Sequence, residues 1–228
     1  MLHTVTAVGL GALLGVRHSV EPDHLAAVST LVQSERSPAR GALLGALWGL
    51  GHTASLLAVG VALALVGGEL PTRLAEVFEF GVALMLIGLG LRAIRRATAG
   101  GQVGPAHTHR HGQREHHHHG PHRHLHLGSW TFAARPLLVG VVHGLAGSGS
   151  LTALVLAGLP TTAARLGYIL LFGLGLVVGM AVLSGLAGLP LSRVGRNPRV
   201  ARALGLTTGA FSAVLGVIWG LPLLRGWL

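Results

Sequence analysis

Residues 4–32 read TVTAVGLGALLGVRHSVEPDHLAAVSTLV, an apolar run that contains five ionisable side chains within eight residues. A helix of this length exceeds the roughly 20 residues needed to cross about 30 Å of hydrocarbon. Each ionisable group at membrane depth costs about 2.5–3.5 kcal/mol on insertion scales, so such a cluster indicates a function. The run therefore predicts a first membrane span with a polar site inside it.

Pro22 interrupts this run between its charged residues. It has no amide hydrogen, so the carbonyl of His18 loses its normal helical partner and the helix is expected to kink or break. On a regular helix His18, Glu21 and His24 share one face, while Asp23 points elsewhere. A break that lines a cavity is tolerated at membrane depth and would let Asp23 swing toward the same site.

These side chains predict a site for a divalent transition metal. Imidazole suits nickel, cobalt, copper and zinc, whereas magnesium and calcium prefer oxygen. The chain has no cysteine, which excludes thiolate ligands and disulfides. Because protonation of His18 or His24 competes with metal, binding is expected to weaken below about pH 6. The alternative is a pair between Arg17 and Glu21, with histidines that only bond to neighbouring helices.

Two further histidines lie in apolar runs. His52, in Trp48-Gly-Leu-Gly-His52-Thr-Ala-Ser55, is a candidate third imidazole ligand or, as an alternative, a hydrogen-bonding contact between helices. His143 is a candidate ligand in the fourth run. It precedes Gly144-Leu-Ala-Gly-Ser-Gly-Ser150, which offers hydroxyls but no carboxylate. The second half of the chain is therefore expected to contribute less charge to the site.

The composition is that of a multi-pass membrane protein. Hydrophobic residues make up 50% of the 228 residues and charged residues 11%,. The formal charge of +10 comes from arginines, most of them in the odd-numbered connections, which predicts cytoplasmic odd connections and external termini in the cell (inner) membrane. The positive charge is thus interpreted as a signal of membrane orientation, and no nucleic-acid partner is expected. The six predicted spans lie near residues 4–32, 40–67, 75–97, 134–158, 163–188 and 201–224.

Comparing the chain with itself at an offset of about 125 residues aligns Gly15-Val-Arg-His18 with Gly140-Val-Val-His143. The same comparison sets Leu47-Trp-Gly-Leu-Gly51 opposite Leu171-Phe-Gly-Leu-Gly175, and Gly81 and Gly88 opposite Gly209 and Gly216. A repeat of three helices must enter the membrane from the opposite side in its second copy, as in many secondary transporters. The predicted fold is an all-α membrane protein of about six transmembrane helices, arranged as two inverted three-helix repeats, 1–98 and 134–228.

The connection between these halves, residues 99–133, is expected to be a disordered cytoplasmic loop with metal affinity. Its low complexity argues against one precise geometry and favours a weak collector, buffer or sensor of metal. A solvated linker without metal binding is the alternative. The ten loop histidines are His107, His109, His111, His116, His117, His118, His119, His122, His124 and His126.

The segment Arg17-His-Ser-Val-Glu-Pro-Asp-His-Leu25 resembles the signature of the nickel/cobalt transporter family, a histidine followed after four residues by Asp-His in a transmembrane helix. Leu50-Gly-His-Thr53 resembles the family's second motif, and the histidine-rich loop is similar to that of its nickel and cobalt exporters. The resemblance implies that His18, Asp23 and His24 bind the ion with help from His52, and that Glu21 stands where the family has aspartate. In contrast to the family, Pro22 replaces a small residue, Gly144–Ser150 replaces an acidic motif, and the stretch around Gly179-Met180 lacks a downstream acid. These departures resemble the shorter branch related to urease-accessory membrane proteins.

The predicted function is a secondary transporter for Ni²⁺ or Co²⁺, with the bilayer and the ion as partners and no permanent cofactor. No GxxxxGK[ST] sequence is present, so energy is expected from a gradient or a separate partner protein. The alternatives are an exporter and a non-transporting accessory protein for urease or hydrogenase maturation. A membrane metalloenzyme is a weaker alternative, since HExxH spacing is absent, and the chain is not expected to be an enzyme. A homo-oligomer or a metallochaperone partner is compatible with the sequence.

Overall fold

The computed structural model describes residues 2–32, 37–66, 70–99, 106–111, 114–119, 124–127, 130–146, 158–194 and 197–227. Within these ranges the chain forms seven helices and four short strands. The helices are α1 Leu2–His18, α2 Pro22–Val32, α3 Pro38–Val66, α4 Thr72–Thr98, α5 Ala134–Leu145, α6 Thr162–Val194 and α7 Pro198–Trp227. The strands are β1 Ala106–His111, β2 Arg114–His119, β3 His124–Leu127 and β4 Trp130–Ala133.

Four of the described helices are long and apolar enough to cross a bilayer. Their spanning segments are Pro38–Leu63, Thr72–Thr98, Thr162–Gly188 and Pro198–Trp227. They coincide with four of the six predicted spans. The chain is therefore an integral membrane protein, and many large apolar side chains on these helices are exposed on the outside of the bundle, where lipid covers such surfaces,.

The predicted first span is not one helix. α1 ends at His18 and α2 begins at Pro22, which occupies the first helical position, where its missing amide hydrogen removes no helical bond,. Between them the chain turns, and the amide of Glu21 donates to the carbonyl of His18 across 3.0 Å. The break expected near Pro22 is present, but the 17 residues of α1 rise only about 25 Å, less than the hydrocarbon thickness,.

The predicted fourth span, residues 134–158, also differs from expectation. Its described part is the 12-residue helix α5, which ends at Leu145. Residues 147–157 lie outside the described ranges, so the count of six spans stays a prediction.

Part of the connection predicted to be disordered forms two pairs of antiparallel strands, while the described bundle on either side of it is all-helical. β1 pairs antiparallel with β2, from Ala106 opposite His119 to His111 opposite Arg114. β3 pairs with β4 in the same sense. In the sequence two residues lie between the strands of each pair, Gly-Gln in the first and Gly-Ser in the second. This spacing is typical of hairpins, but the prediction of disorder used composition alone.

Close helix packing in the bundle depends on glycines. α1 packs on α6, α3 on both α5 and α6, and α4 on α7. A side chain at Gly15 of α1 would overlap the carbonyl of Phe172 in α6, and one at Gly140 of α5 would overlap the carbonyl of Trp48 in α3. Only glycine lets the backbones come this near. In the internal alignment Gly15 corresponds to Gly140 and Phe172 to Trp48. The contact of Gly15 with Phe172 is therefore equivalent to the contact of Gly140 with Trp48 when the two halves are interchanged.

A second pair of contacts has the same relation. A side chain at Gly51 would overlap the carbonyl of Leu137, and one at Gly175 would overlap the carbonyl of Ala12. Gly51 aligns with Gly175, and Leu137 follows Ala12 by the offset of 125 residues. Both halves of the chain therefore use equivalent positions to contact each other.

The contact between α4 and α7 departs from the predicted alignment. Gly90 and Gly209 pack backbone to backbone, whereas a side chain at Gly81 or Gly88 would meet no atom within 4 Å. The matches of Gly81 and Gly88 with Gly209 and Gly216 therefore do not describe this interface. Glycine-rich helices produce such coincidental matches.

Candidate metal site

Five polar side chains meet inside the bundle, at the break between α1 and α2. His18 ends α1, Asp23 and His24 lie in the first turn of α2, His52 lies in the middle of α3, and His143 lies near the end of α5. All five are buried, with exposed fractions of 6% or less. The break allows the end of one helix and the start of the next to supply ligand-type groups to one place.

Within this cluster, two sets of three residues have metal-site geometry. His18, His24 and His52 each offer one ligand-type atom within 4.8 Å of the others, and so do Asp23, His24 and His143. His24 belongs to both sets, with its ring centroid 4.4 Å from that of His18 and 4.3 Å from that of His143. The first set comes entirely from the first half of the chain, whereas the second joins the two halves.

Asp23 accepts two hydrogen bonds from histidine rings. His24 Nδ1 donates to Oδ1 across 3.0 Å, and His143 Nε2 donates to Oδ2 across 2.7 Å. The ring nitrogens are the donors because an ionised carboxylate can only accept. The bond between Asp23 and His143 is a direct polar link between α2 and α5.

Glu21 lies at the edge of the cluster, in the turn between α1 and α2. Its Oε2 lies 2.9 Å from Nδ1 of His18, and its side chain is 45% exposed, compared with 8% for His18. The partner of the Glu21 carboxylate is therefore His18, a site histidine. This differs from the alternative that paired Glu21 with Arg17.

Several buried ring nitrogens have no hydrogen-bond partner among the described residues. They are His18 Nε2, His24 Nε2, both nitrogens of His52, and His143 Nδ1. Buried polar atoms in proteins are normally paired, so a concentration of unpaired nitrogens at one point calls for an explanation. Neutral imidazole nitrogens are ligands for borderline divalent ions, which supplies one.

Two aromatic side chains cover the cluster. The Trp48 ring stacks on His24 at 5.4 Å and 15°, and it meets His143 edge-on at 5.6 Å. Phe172 lies 5.4 Å from His18. The sequence interpretation did not assign Trp48 to the site. Its position four residues before His52 places both on one face of α3, which was the available signal.

The remaining predicted site residues are not part of this cluster as described. The backbone of nine loop histidines lies in strands: His107, His109 and His111 in β1, His116, His117, His118 and His119 in β2, and His124 and His126 in β3. His122, Ser148 and Ser150 lie outside the described residues. Metal binding by the loop stays a prediction.

Comparison with known proteins bears on the whole cluster. The family described as high-affinity nickel-transport protein matches residues 4–192, a range that contains every residue of the site. Urease accessory protein UreH of Bacillus sp. (strain TB-90) is 34% identical over 212 residues, covering 91% of this chain and 87% of that protein. The high-affinity nickel transport protein of Cupriavidus necator is 29% identical over 106 residues, which cover 39% of this chain and 30% of that protein. The Arabidopsis thaliana chloroplast protein FOR GROWTH AND FERTILITY 1 is 29% identical over 180 residues, which cover 77% of this chain and 48% of that protein. No solved structure matches the chain.

Proposed function

Because the chain belongs to the family of high-affinity nickel-transport proteins, we propose that it moves a nickel or cobalt ion across the membrane through the buried histidine and aspartate cluster. The ion is the substrate, and the chain needs no permanent cofactor and carries out no chemical conversion. Energy comes from an ion gradient or from the membrane potential.

The observation that supports this proposal is the cluster itself. Four histidines and one aspartate are buried together in a bundle whose outer surface is apolar. Polar groups at membrane depth are expensive and typically mark ion pathways. Imidazole-rich sites favour nickel, cobalt, copper and zinc over magnesium and calcium.

The packing contacts support an inverted repeat as the basis of movement. Contacts of α1 with α6 and of α3 with α5 exchange under the internal alignment, as the Gly15–Phe172 and Gly140–Trp48 contacts do. In this proposal residues 1–98 and 134–228 are the two repeats, with six spans in total, and residues 99–133 form a separate connection. Rocking of one half against the other would alter the contact between Asp23 and His143, which joins them,.

The placement of the histidine-rich connection bears on the direction of transport, which the metal content of cells decides. The arginine distribution puts that connection in the cytoplasm and both termini outside. A cytoplasmic collector of metal suits export of excess ions, whereas the family description, high-affinity nickel-transport protein, names no direction. Uptake and export are therefore kept as two alternatives of the proposal.

The similarity to UreH favours a second candidate function. That relative, urease accessory protein UreH, matches 91% of this chain. In this alternative the chain does not transport metal but passes nickel to a metalloenzyme or a metallochaperone. The same cluster would then be a holding site rather than a point on a pathway.

One experiment separates these candidates. Nickel and cobalt content is measured in cells that express the native chain or an equally abundant His18→Ala/His24→Ala variant, with His107→Ala/His109→Ala as the matched control. Uptake predicts more metal with the native chain than with the site variant, and export predicts less. Equal metal content, with binding lost only in the site variant, would move the conclusion to the accessory function. Equal content without binding by the native chain would contradict the proposal altogether.

A further inference from the structure

We propose that Glu21 and Asp23 are positioning residues, which hold site histidines in fixed tautomers so that the ion is bound by imidazole nitrogen alone. The inference rests on the proposed function and specifies how the cluster recognises its ion. It concerns the division of roles among the clustered side chains.

Glu21 fixes the ring of His18. Its carboxylate oxygen lies 2.9 Å from Nδ1 of His18, and since a carboxylate only accepts, that nitrogen carries the hydrogen. In a neutral imidazole the other nitrogen is then unprotonated and free to bind metal. That atom, Nε2 of His18, is buried and without a hydrogen-bond partner among the described residues. Histidine ligands in metal sites are commonly oriented by carboxylates in this way.

Asp23 does the same for two rings at once. Oδ1 accepts from Nδ1 of His24 and Oδ2 accepts from Nε2 of His143. His24 is left with Nε2 free and His143 with Nδ1 free, and both free nitrogens are buried. Each oxygen of Asp23 therefore already accepts a hydrogen bond from a ring, which favours a positioning role for this carboxylate over direct binding of the ion.

Free ring nitrogens therefore remain on all four histidines. His18, His24 and His52 form one of the two sets with metal-site spacing, and both nitrogens of His52 are free. His143 shares a set only with Asp23 and His24, so the ion is assigned to the other three histidines. Three imidazoles without a carboxylate ligand favour nickel, cobalt, copper and zinc, and disfavour manganese and magnesium, which prefer oxygen. The outer carboxylates thereby contribute to the choice of ion through the histidines that they orient.

Nickel affinity of the purified full-length chain in detergent tests this division of roles. Glu21→Gln keeps an acceptor oxygen at the same reach but removes the charge, whereas Glu21→Ala removes the acceptor. We expect Glu21→Gln to bind nickel within about threefold of the native chain, and Glu21→Ala to bind about tenfold or more weakly, as for lost outer partners of ligand histidines. Glu79→Gln, an exposed glutamate on α4, is the matched control. All variants carry the same histidine-rich connection, so differences between them report the buried site.

Equal losses in Glu21→Gln and Glu21→Ala would show that the charge or direct coordination matters and would overturn the inference, as would native affinity in Glu21→Ala. If Glu21→Ala does not fold, X-ray absorption of the nickel-bound native chain decides instead: three imidazoles support the inference and fewer contradict it. Failure of the native chain to bind nickel would remove the proposed function itself, whereas nickel binding with the wrong variant order removes only this inference.

Discussion

The first helices of the two halves, α1 with α2 and α5, have similar packing and different chemistry. Gly15 and Gly140 each bring their helix against a carbonyl of the opposite half, and each is followed three residues later by a site histidine. After His18 the chain turns and adds Glu21, Pro22, Asp23 and His24. α5 ends at Leu145 without any charged residue after His143. The glycine positions that hold the halves together are shared, and the ionisable groups are concentrated on one side.

This difference indicates separate roles for the two halves, one in binding the ion and the other in coupling that binding to movement. All three residues of the three-histidine set belong to the first half, although the helices that carry His18 and His52 both pack on α6 of the second half. His143 reaches the site from the second half and donates to Asp23. The first half is therefore expected to set most of the affinity, while the second half makes the site sensitive to relative movement.

The largest expected effect follows from replacing His24, which both sets share. His24→Ala should weaken nickel binding by about a hundredfold or more, since it removes a ligand and a partner of Asp23 at the same time, a larger loss than the tenfold to hundredfold typical of outer partners. Isothermal titration of the purified variant measures it. His3→Ala, in the first turn of α1, makes the same change in the same half and should leave affinity unchanged. Near-native affinity of His24→Ala would break the assignment of the site to the first half.

The next effect concerns the shared glycines. Gly15→Ala and Gly140→Ala should each destabilise the fold by about 1–3 kcal/mol, because a Cβ at either position overlaps a backbone carbonyl and forces the helices apart,. The two losses should be similar, since the contacts correspond. Thermal unfolding in detergent, followed by circular dichroism, provides the comparison.

Gly88→Ala is the control for these glycine variants. A Cβ there would meet no atom within 4 Å, so alanine should leave stability unchanged or raise it by up to about 1 kcal/mol through helix propensity. If only one of Gly15→Ala and Gly140→Ala were destabilising, the equivalence of the two halves would not hold.

Much of this organisation could be predicted from residues with strong local consequences. Long apolar runs predicted four spans now seen as single helices, and Pro22 predicted the break after which Asp23 contacts His24 and His143. The polar residues in apolar runs predicted which side chains share a site, because each has a high cost there unless it has partners. That they bind metal stays a prediction.

Other features depended on contacts that sequence does not specify. Trp48 reads as an ordinary apolar helix residue, and only the fold shows its ring stacked on His24. The matches of Gly81 and Gly88 followed spacing, whereas the interface between α4 and α7 uses Gly90. The loop composition predicted disorder because histidine-rich stretches bury little apolar surface, yet its short strands pair with each other,.

A smaller effect is expected at the contact between the halves. His143→Ala removes the donor to one oxygen of Asp23 but leaves the three-histidine set intact, so nickel affinity should fall about tenfold, the lower end for an outer partner. Metal accumulation in cells should fall further than affinity does, because in the proposed transport mechanism this contact joins the two halves that move. Titration and cellular nickel content, measured on the same variant, test the separation. A hundredfold loss of affinity would make His143 a main ligand and bring the two halves closer in role.

The smallest effect on the site is expected from removing the histidine-rich connection. Deleting residues 107–126 and replacing them with a glycine-serine linker of equal length should leave the tightest nickel affinity unchanged, since the three-histidine set comes from α1, α2 and α3. The number of weakly bound ions should fall, because neutral imidazoles in the connection bind borderline metals without one fixed geometry. Equilibrium dialysis over a range of nickel concentrations resolves the tight and weak classes. A loss of the tight class would mean that the connection completes the buried site. The comparison of a charged first half with a scaffold-like second half would then have to include the connection as a third contributor to the site.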